Sequence, residues 1–400
     1  MNPRLIGALL FVVAALIAVG YYLFQQGGAD PLTSALVGER PDPVAAMGFV
    51  GGEKRRFLGN ERTQEILTDR YGITLDARRA GSIEMVTDPA LIGQDPDFYW
   101  PASQVSLELA HANGLREVQR EIVFNSPIVL YSWSPVAEAL EARGLARPLT
   151  DARAAFAVDT PALLDLVLAE ESWSALGLGN LYGTVMLTST DPTRSNSGNQ
   201  FASLMTVVLA DGATSGPAFD AAVEQVAGIY RRMGYTEGSS STLFEQYLRQ
   251  GMGAFPLIAG YENQLIEFAA ADPELWRSLE ERDIRPVVLY PEPTVFSSHI
   301  FLAMTEPGRS VLAALADPEL QELAWSRHGF RSGFAPSNDP AILPVAGIPD
   351  TVTMVVPMPP FAAVERVLAA ISGEPPTPRT GDAVPGSAGA RDAEAEAGKR

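Results

Sequence analysis

The chain has 400 residues, a formal charge of −19 and no cysteine, with 46% hydrophobic and 19% charged residues. This composition supports a sizeable core and excludes disulfides, thiolate metal sites, a cysteine nucleophile and lipid attachment through cysteine. Acidic residues are scattered and no basic stripe is present to neutralise phosphates, which excludes a nucleic-acid partner but not a small anion, because distant charge is screened beyond ~10 Å.

In chain order, Met1 to Arg4 carry positive charge, and Leu5 to Phe24 then hold no charged residue. At ~1.5 Å per helical residue that stretch spans the ~30 Å hydrocarbon core. Tyr21 and Tyr22 stand where an interfacial belt is expected, and Asp30 follows. The charge asymmetry predicts a membrane anchor over 1–24, in contact with the lipid bilayer through 5–24, with the rest of the chain carried across. The protein is thus expected at the cell membrane as a single-pass protein, its folded body in the periplasm or outside the cell. Ala18-Val19-Gly20 supports the alternative of a cleaved signal peptide. Residues 25–48, rich in Gly, Pro and Ala, read as a tether. Residues 373–400 have Val384 as their one large apolar residue and are expected to be disordered.

Between these ends, apolar periodicity predicts helices at 60–71, 103–113, 133–143, 160–170, 197–210, 218–233, 241–250, 262–282, 308–317 and 318–327. Strands are predicted at 73–79, 122–131, 183–189, 254–260, 284–290 and 350–357, with weaker signals near 49–51 and 299–304. Alternating strands and helices predict an α/β architecture with largely parallel sheets covered on both faces, and the length of the body predicts two lobes.

The stretch 183–209 organises this pattern. An apolar β-branched run ends at Thr190-Asp191-Pro192, and Ser195-Asn196-Ser197-Gly198 then leads into Phe201, Leu204, Met205 and Val208 at helical spacing. Such a loop aims backbone N–H groups, hydroxyls and the positive end of a helix dipole at one point. Helix capping alone would select the same residues. Other strand ends carry similar small polar loops: Gly81-Ser82, Asn125-Ser126, Gly238 to Thr242, Tyr261-Glu262 and Ser297-Ser298-His299. Each alone reads as a turn or cap; together they predict a polar cleft beyond the strand ends.

Enzyme chemistry finds little support. The three histidines, His111, His299 and His328, are isolated, and no nucleophile elbow, zinc-binding helix motif or phosphate-binding loop with its lysine is present. No catalytic residue, metal site or cofactor is predicted. His328-Gly329 reads as a basic helix end with a glycine C-cap. Of the tryptophans, Trp100 and Trp133 lie in loops near the presumed cleft, whereas Trp173, Trp276 and Trp325 read as packing residues.

The order GSI at 81–83, FNSPIVLYSW at 124–133, TSTDPTRSNSG at 188–198, GYENQ at 260–264 and LYPEPTVFSSH at 289–299 resembles bacterial extracellular solute-binding proteins. It is similar to the two-lobed type 2 periplasmic binding fold, in the branch that includes molybdate and other oxyanion binders, and to membrane-anchored substrate-binding proteins of ABC-type systems. The resemblance implies lobe one at 49–126 and 290–372, lobe two at 127–289, and a ligand trapped by hinge closure. It implies ligand contacts from Gly81, Ser82, Asn125, Ser126, Thr190, Ser195, Asn196, Ser197, Gly198, Tyr261 and Glu262. The expected function is capture of a small polar or anionic solute, an oxyanion or carboxylate among the candidates, for a membrane permease. The alternatives are a membrane-anchored ligand sensor without a transport role and an exported hydrolase on the same scaffold. Arg78, Arg79, Arg194 and Glu262 near the expected cleft leave the charge of the solute open.

Overall fold

The computed structural model describes residues 42–335 and 338–373. The expected anchor, most of the tether and the tail after Gly373 lie outside the described residues. Among the described residues no helix is long and apolar enough to cross a membrane.

The strands are β1 (Val44–Val50), β2 (Ile73–Arg79), β3 (Phe98–Trp100), β4 (Gln119–Trp133), β5 (Ala146–Pro148), β6 (Ala155–Asp159), β7 (Leu257–Tyr261), β8 (Pro286–Glu292), β9 (Phe296–Ala303) and β10 (Arg331–Ser332). The longer helices are α1 (Val105–Ala112), α2 (Ser134–Ala142), α3 (Thr160–Leu168), α4 (Asn196–Leu209), α5 (Gly216–Met233), α6 (Ser240–Gln250), α7 (Glu262–Ala271), α8 (Pro273–Glu280), α9 (Glu306–Leu315), α10 (Pro318–His328) and α11 (Phe361–Ser372). The strands form a ten-stranded sheet in the order β2-β1-β3-β9-β4-β8-β6-β5, with β7 and β10 also paired to β4.

The 15-residue strand β4 joins two halves. Its first part, up to Pro127, pairs with β9, and from Ile128 onward it pairs with β7 and β8. In the first half the period-2 alternation of a strand separates two cores. Val50, Phe98, Trp100 and Phe301 pack on one face, and Phe49, Tyr99, Ile300 and Leu302 pack on the other. The second half is built on near-continuous apolar runs, and Ile128 to Tyr131, Phe156, Ile258 and Val287 to Tyr290 lie in one large cluster. Val345, Ile348, Ala363 and Val367 belong to that same cluster, so the chain returns to the second half near its end, where α11 packs on α4 and α5.

Several sequence expectations need correction. The sheet is mixed: β1–β2, β1–β3 and β6–β8 are parallel, but every partner of β4 runs antiparallel to it. A strand that passes through both halves has neighbours returning against it, which local alternation does not reveal. The segment 183–189 is extended but is not a strand. Only Thr188 bridges β7, through Thr188 N to Leu257 O at 3.0 Å and Ala259 N to Thr188 O at 2.8 Å, before the chain turns toward Asp191-Pro192. Residues 350–357 make a single bridge, Thr294 to Val355; the prolines around them lack the N–H donors that a ladder needs. The long helix expected at 262–282 breaks at Asp272-Pro273, where Asp272 caps Leu275 N and Pro273 opens α8. β1 begins at Val44, inside the stretch assigned to the tether.

Candidate functional site

Parallel strands β1 and β2 end side by side, with Val50 opposite Arg79. Beyond β1, Gly51-Gly52 lets the chain turn at once into a helical turn at Gly52–Lys54. Facing these ends are the C-terminus of β7 at Tyr261 and the N-termini of α4 and α6. Between them lies a cleft of about 340 Å³. Its walls include Gly81, Ser82, Ser195, Asn196, Ser197 and Tyr261, together with the Gly51–Glu53 turn and Gly238 to Ser241. A second cavity of about 520 Å³ continues from it past Ile83, Thr87 and Thr193 and shares Gly81, Ser82 and Arg194 to Asn196.

Three guanidinium-bearing side chains, Arg55, Arg79 and Arg194, line the cleft. Among the described residues none of them has a carboxylate within 4.0 Å, whereas Arg78, next to Arg79, is bonded to Asp76 and Gln94. Both facing helices start without a side-chain cap, at Ser195 and at Ser239. Their first N–H groups therefore stay free to meet a ligand, and the helix dipoles add positive potential there. Arg194 packs over Gly238, where a Cβ would stand 3.2 Å from its Cζ, so the glycine leaves room for the guanidinium.

The hydroxyls of the 188–198 loop form a chain. Thr190 Oγ1 and Ser197 Oγ are 3.1 Å apart, and Ser197 Oγ and Ser195 Oγ are 2.9 Å apart. Ser195 is thereby left as the outermost hydroxyl. Asn196 donates to Ala102 O and to Tyr261 Oη, each at 3.0 Å. Gln200 and Ser297 donate to the same carbonyl at 3.3 and 2.7 Å, and Ala102 N donates to Ser82 Oγ at 3.0 Å. Ala102, after β3, is thus pinned to the start of α4 in the other half of the sheet. Burial pushes the Tyr261 phenol well above its ordinary range, so it stays protonated at neutral pH.

Not every expected residue reaches the cleft. Asn125 sits on β4, where Oδ1 accepts from Ser298 Oγ, and Ser126, the next residue of the strand, is fully buried opposite Ser297. Thr190 and Gly198 are also buried and act one layer behind the wall. A Cβ at Gly198 would lie 2.4 Å from Thr190 O. Gly198→Ala is therefore expected to cost about 1–3 kcal/mol through overpacking; a urea titration that left the midpoint unchanged would show that the loop can shift freely.

Glu262 points away from the cleft. Its carboxylate is buried and forms a two-pronged ion pair with Arg331, at 2.6 Å and 2.7 Å, and it also accepts from Tyr290 Oη at 2.5 Å. The sequence placed it one residue from a cleft tyrosine, but as the first residue of α7 it turns to the opposite side. Trp100 is likewise buried, donating to His299 O at 3.2 Å and packing on Phe124 and Phe301, and Trp133 donates to Phe255 O. The histidines do not converge: His111 meets Glu117, His328 meets Glu267 ahead of a left-handed Gly329 cap, and His299 lies 3.5 Å from Glu53. Among the described residues no group of three or more His, Asp or Glu side chains is placed to hold a metal ion.

The residues that sequence reasoning missed are Gly51 to Glu53 and Arg55. The available signal was Gly-Gly directly after an apolar run and directly before a helix start, the same strand-loop-helix order as elsewhere. Glu53 forms the floor. Its Oε1 accepts from buried Lys54 Nζ at 2.5 Å, and Lys54 in turn lies 5.4 Å over the Trp100 ring. Burial alone would raise the Glu53 carboxyl, but the Lys54 ammonium and the His299 contact more than reverse this and hold it well below the usual carboxylate range. His299 is buried with neither ring nitrogen hydrogen-bonded among the described residues, and burial followed by the charge of Lys54 brings it down to about 4.

The fold is thus two sheet halves joined by crossing strands, with an open polar cleft between them. No protein-family model matches the chain, and no curated protein matches it. Solved structures do. The substrate binding protein of an ABC transporter from Agrobacterium tumefaciens is 14% identical, over 84% of this chain and 96% of that one, with a TM-score of 0.53. Iron-bound HitA from Pseudomonas aeruginosa is 14% identical, over 82% and 98%, with a TM-score of 0.52. A ferric binding protein from Campylobacter jejuni is 10% identical, over 82% and 96%, with a TM-score of 0.52. At these identities the likeness establishes the fold, that of the solute-binding proteins.

Proposed function

We propose that this protein is an extracytoplasmic solute-binding protein that captures a small anionic solute and presents it to the membrane permease of an ABC-type transporter. One observation carries the reading. Three arginines with no carboxylate partner among the described residues and two uncapped helix N-termini face one cleft, while the nearby Glu262 is turned away and neutralised by Arg331. Guanidinium groups and backbone N–H donors suit carboxylates, phosphates and other oxyanions. The shared fold with transporter binding proteins supports the transport role. The iron named for two of the neighbours is not carried over, because the donors of this cleft are positive.

Lobe one is proposed at 49–126 and 290–335, and lobe two at 127–289 together with 340–372, a stretch expected in lobe one but whose Val345, Ile348, Ala363 and Val367 pack in the core of the second half; β4 and the β8–β9 connection are the crossing strands. The Ala102 carbonyl, pinned by Asn196 and Gln200, would then act as an interlobe latch in the closed state. The uncharged stretch 5–24 supports tethering to the membrane, which would hold the protein near its permease.

The test is a thermal-shift and calorimetric panel of sulfate, phosphate, methyl phosphate, propionate, neutral sugars and divalent cations. Anions are expected to raise Tm as RT ln(1 + [L]/Kd). Arg194→Ala is expected to weaken the best of them by about tenfold to a hundredfold, the span of one hydrogen bond to a charged group. A panel in which no anion at millimolar concentration moves Tm would sink the reading.

A further inference from the structure

The cleft holds one acceptor that an oxyanion bearing no proton, such as sulfate, cannot satisfy. Glu53 lines the cleft beside the three arginines, and its side chain is 23% exposed. Its Oε1 is taken by Lys54, but Oε2 makes no hydrogen bond among the described residues. None of the cleft arginines comes within 4.0 Å of it, although Arg79 packs over Gly52, the preceding residue, where a Cβ would stand 3.1 Å from its Nε. The carboxylate is folded over Gly51, whose Cβ, if it had one, would stand 2.6 Å from Oε2. It is therefore held at the floor by its own backbone turn, and Lys54 keeps it ionised from behind. A free carboxylate oxygen in a cleft built for negative charge repels any solute that brings only acceptors to it, and a buried acceptor left unmatched on closure is costly.

Resting on the capture reading above, we propose that the solute is an organic anion that carries its own hydrogen-bond donor, a hydroxyl or ammonium group beside its charge, and that Glu53 Oε2 is the residue that requires it. The arginines and the α4 and α6 N-termini hold the anionic group, and Glu53 accepts from the donor. The dimensions agree. At about 340 Å³, opening into a further 520 Å³, the space falls in the range of organic-ligand sites, roughly 300–1,000 Å³, and has room for a substituent past Ile83 and Thr87.

Matched probes test this by calorimetry on the full chain at about pH 8.5, where phosphate monoesters with a second pKa of about 6 carry no proton: methyl phosphate against 2-hydroxyethyl phosphate and 2-aminoethyl phosphate, and propionate against lactate and alanine. In at least one series the donor-bearing member is expected to bind about tenfold to a hundredfold more tightly, and the hydroxyl and ammonium members of each series show which donor is used. Glu53→Met combined with Lys54→Met removes the acceptor without stranding the buried ammonium, and is expected to bring the matched members within about threefold of each other. Equal affinities in the unaltered protein overturn the inference while leaving anion capture intact, and so does a preference that survives in the double variant. If no member of either series binds, both the capture reading and this inference fall. The comparison within the unaltered protein stands even if the double variant does not fold.

Discussion

Arg331→Met is expected to destabilise the protein by about 3–5 kcal/mol, the usual consequence of leaving one member of a buried ion pair unpartnered. Glu262 and Arg331 are separated by 69 residues, and their side chains are 0% and 4% exposed. The guanidinium also donates to Asp350 O at 2.8 Å and Pro349 O at 2.7 Å and lies 5.1 Å over the Trp325 ring. One side chain thus ties β10, the start of α7 and the 349–350 segment together. Replacing it leaves the Glu262 carboxylate with Tyr290 and the α7 dipole as its remaining support. Pairing the change with Glu262→Met removes the stranded charge and is expected to recover most of the loss. Urea midpoints at neutral pH check both statements. A single variant that unfolded at the original midpoint would show that water reaches the pair. Solute affinity should change little in the double variant, because Glu262 does not line the cleft.

Acidification is expected to remove on the order of 3 kcal/mol of stability between pH 6.5 and 4 through His299 alone. The folded protein holds this imidazole down to about 4, from an ordinary value of 6.5, because it is buried and faces the Lys54 charge. Between those two values the unfolded chain binds a proton that the folded chain does not. Stability therefore rises with pH across the window, is complete above about 6.5, and stops falling once the pH drops below the folded value. Glu53 also faces the ring, from 3.5 Å, but titrates well below this window, and Phe330 packs edge-on at 5.2 Å without charge. His299→Gln should flatten the dependence of unfolding free energy on pH between 6.5 and 4.5, before carboxylates such as Glu117 and Asp317, both held below their ordinary values, begin to contribute. An unchanged slope in the variant would assign the acid sensitivity elsewhere.

The local grammar of the chain was largely legible. Helices at 134–142, 160–168, 216–233 and 240–250 follow from apolar spacing at 3.6 residues, and the break at Asp317-Pro318 follows from a capping aspartate and a proline at the first helical position. β6 and α11 were not read from the sequence. The first is a short apolar run, AFAVD, which carries no period of its own, and the second follows a proline-rich stretch, in a part of the folded body to which no helix was assigned, and packs on α4 and α5.

The strand-loop-helix order around Ser195 to Gly198, with Gly81-Ser82 and Tyr261, was enough to expect a polar cleft, because small polar residues at strand ends leave backbone donors uncovered. The sequence also placed arginines and a glutamate near that cleft, but it could not tell which of them face it. Arg78 and Arg79 are adjacent on a strand and point to opposite sides; one pairs with Asp76, and the other lines the cleft with no ion-pair partner among the described residues. Glu262 follows Tyr261 directly, yet it turns to an arginine 69 residues away. Glu53, which no motif singled out, became the floor. Short-range periodicity determines which segments are helix or strand and which ends are polar. The sign of the charge in the cleft depends on which ion pairs close across the fold, and only the tertiary structure decides that.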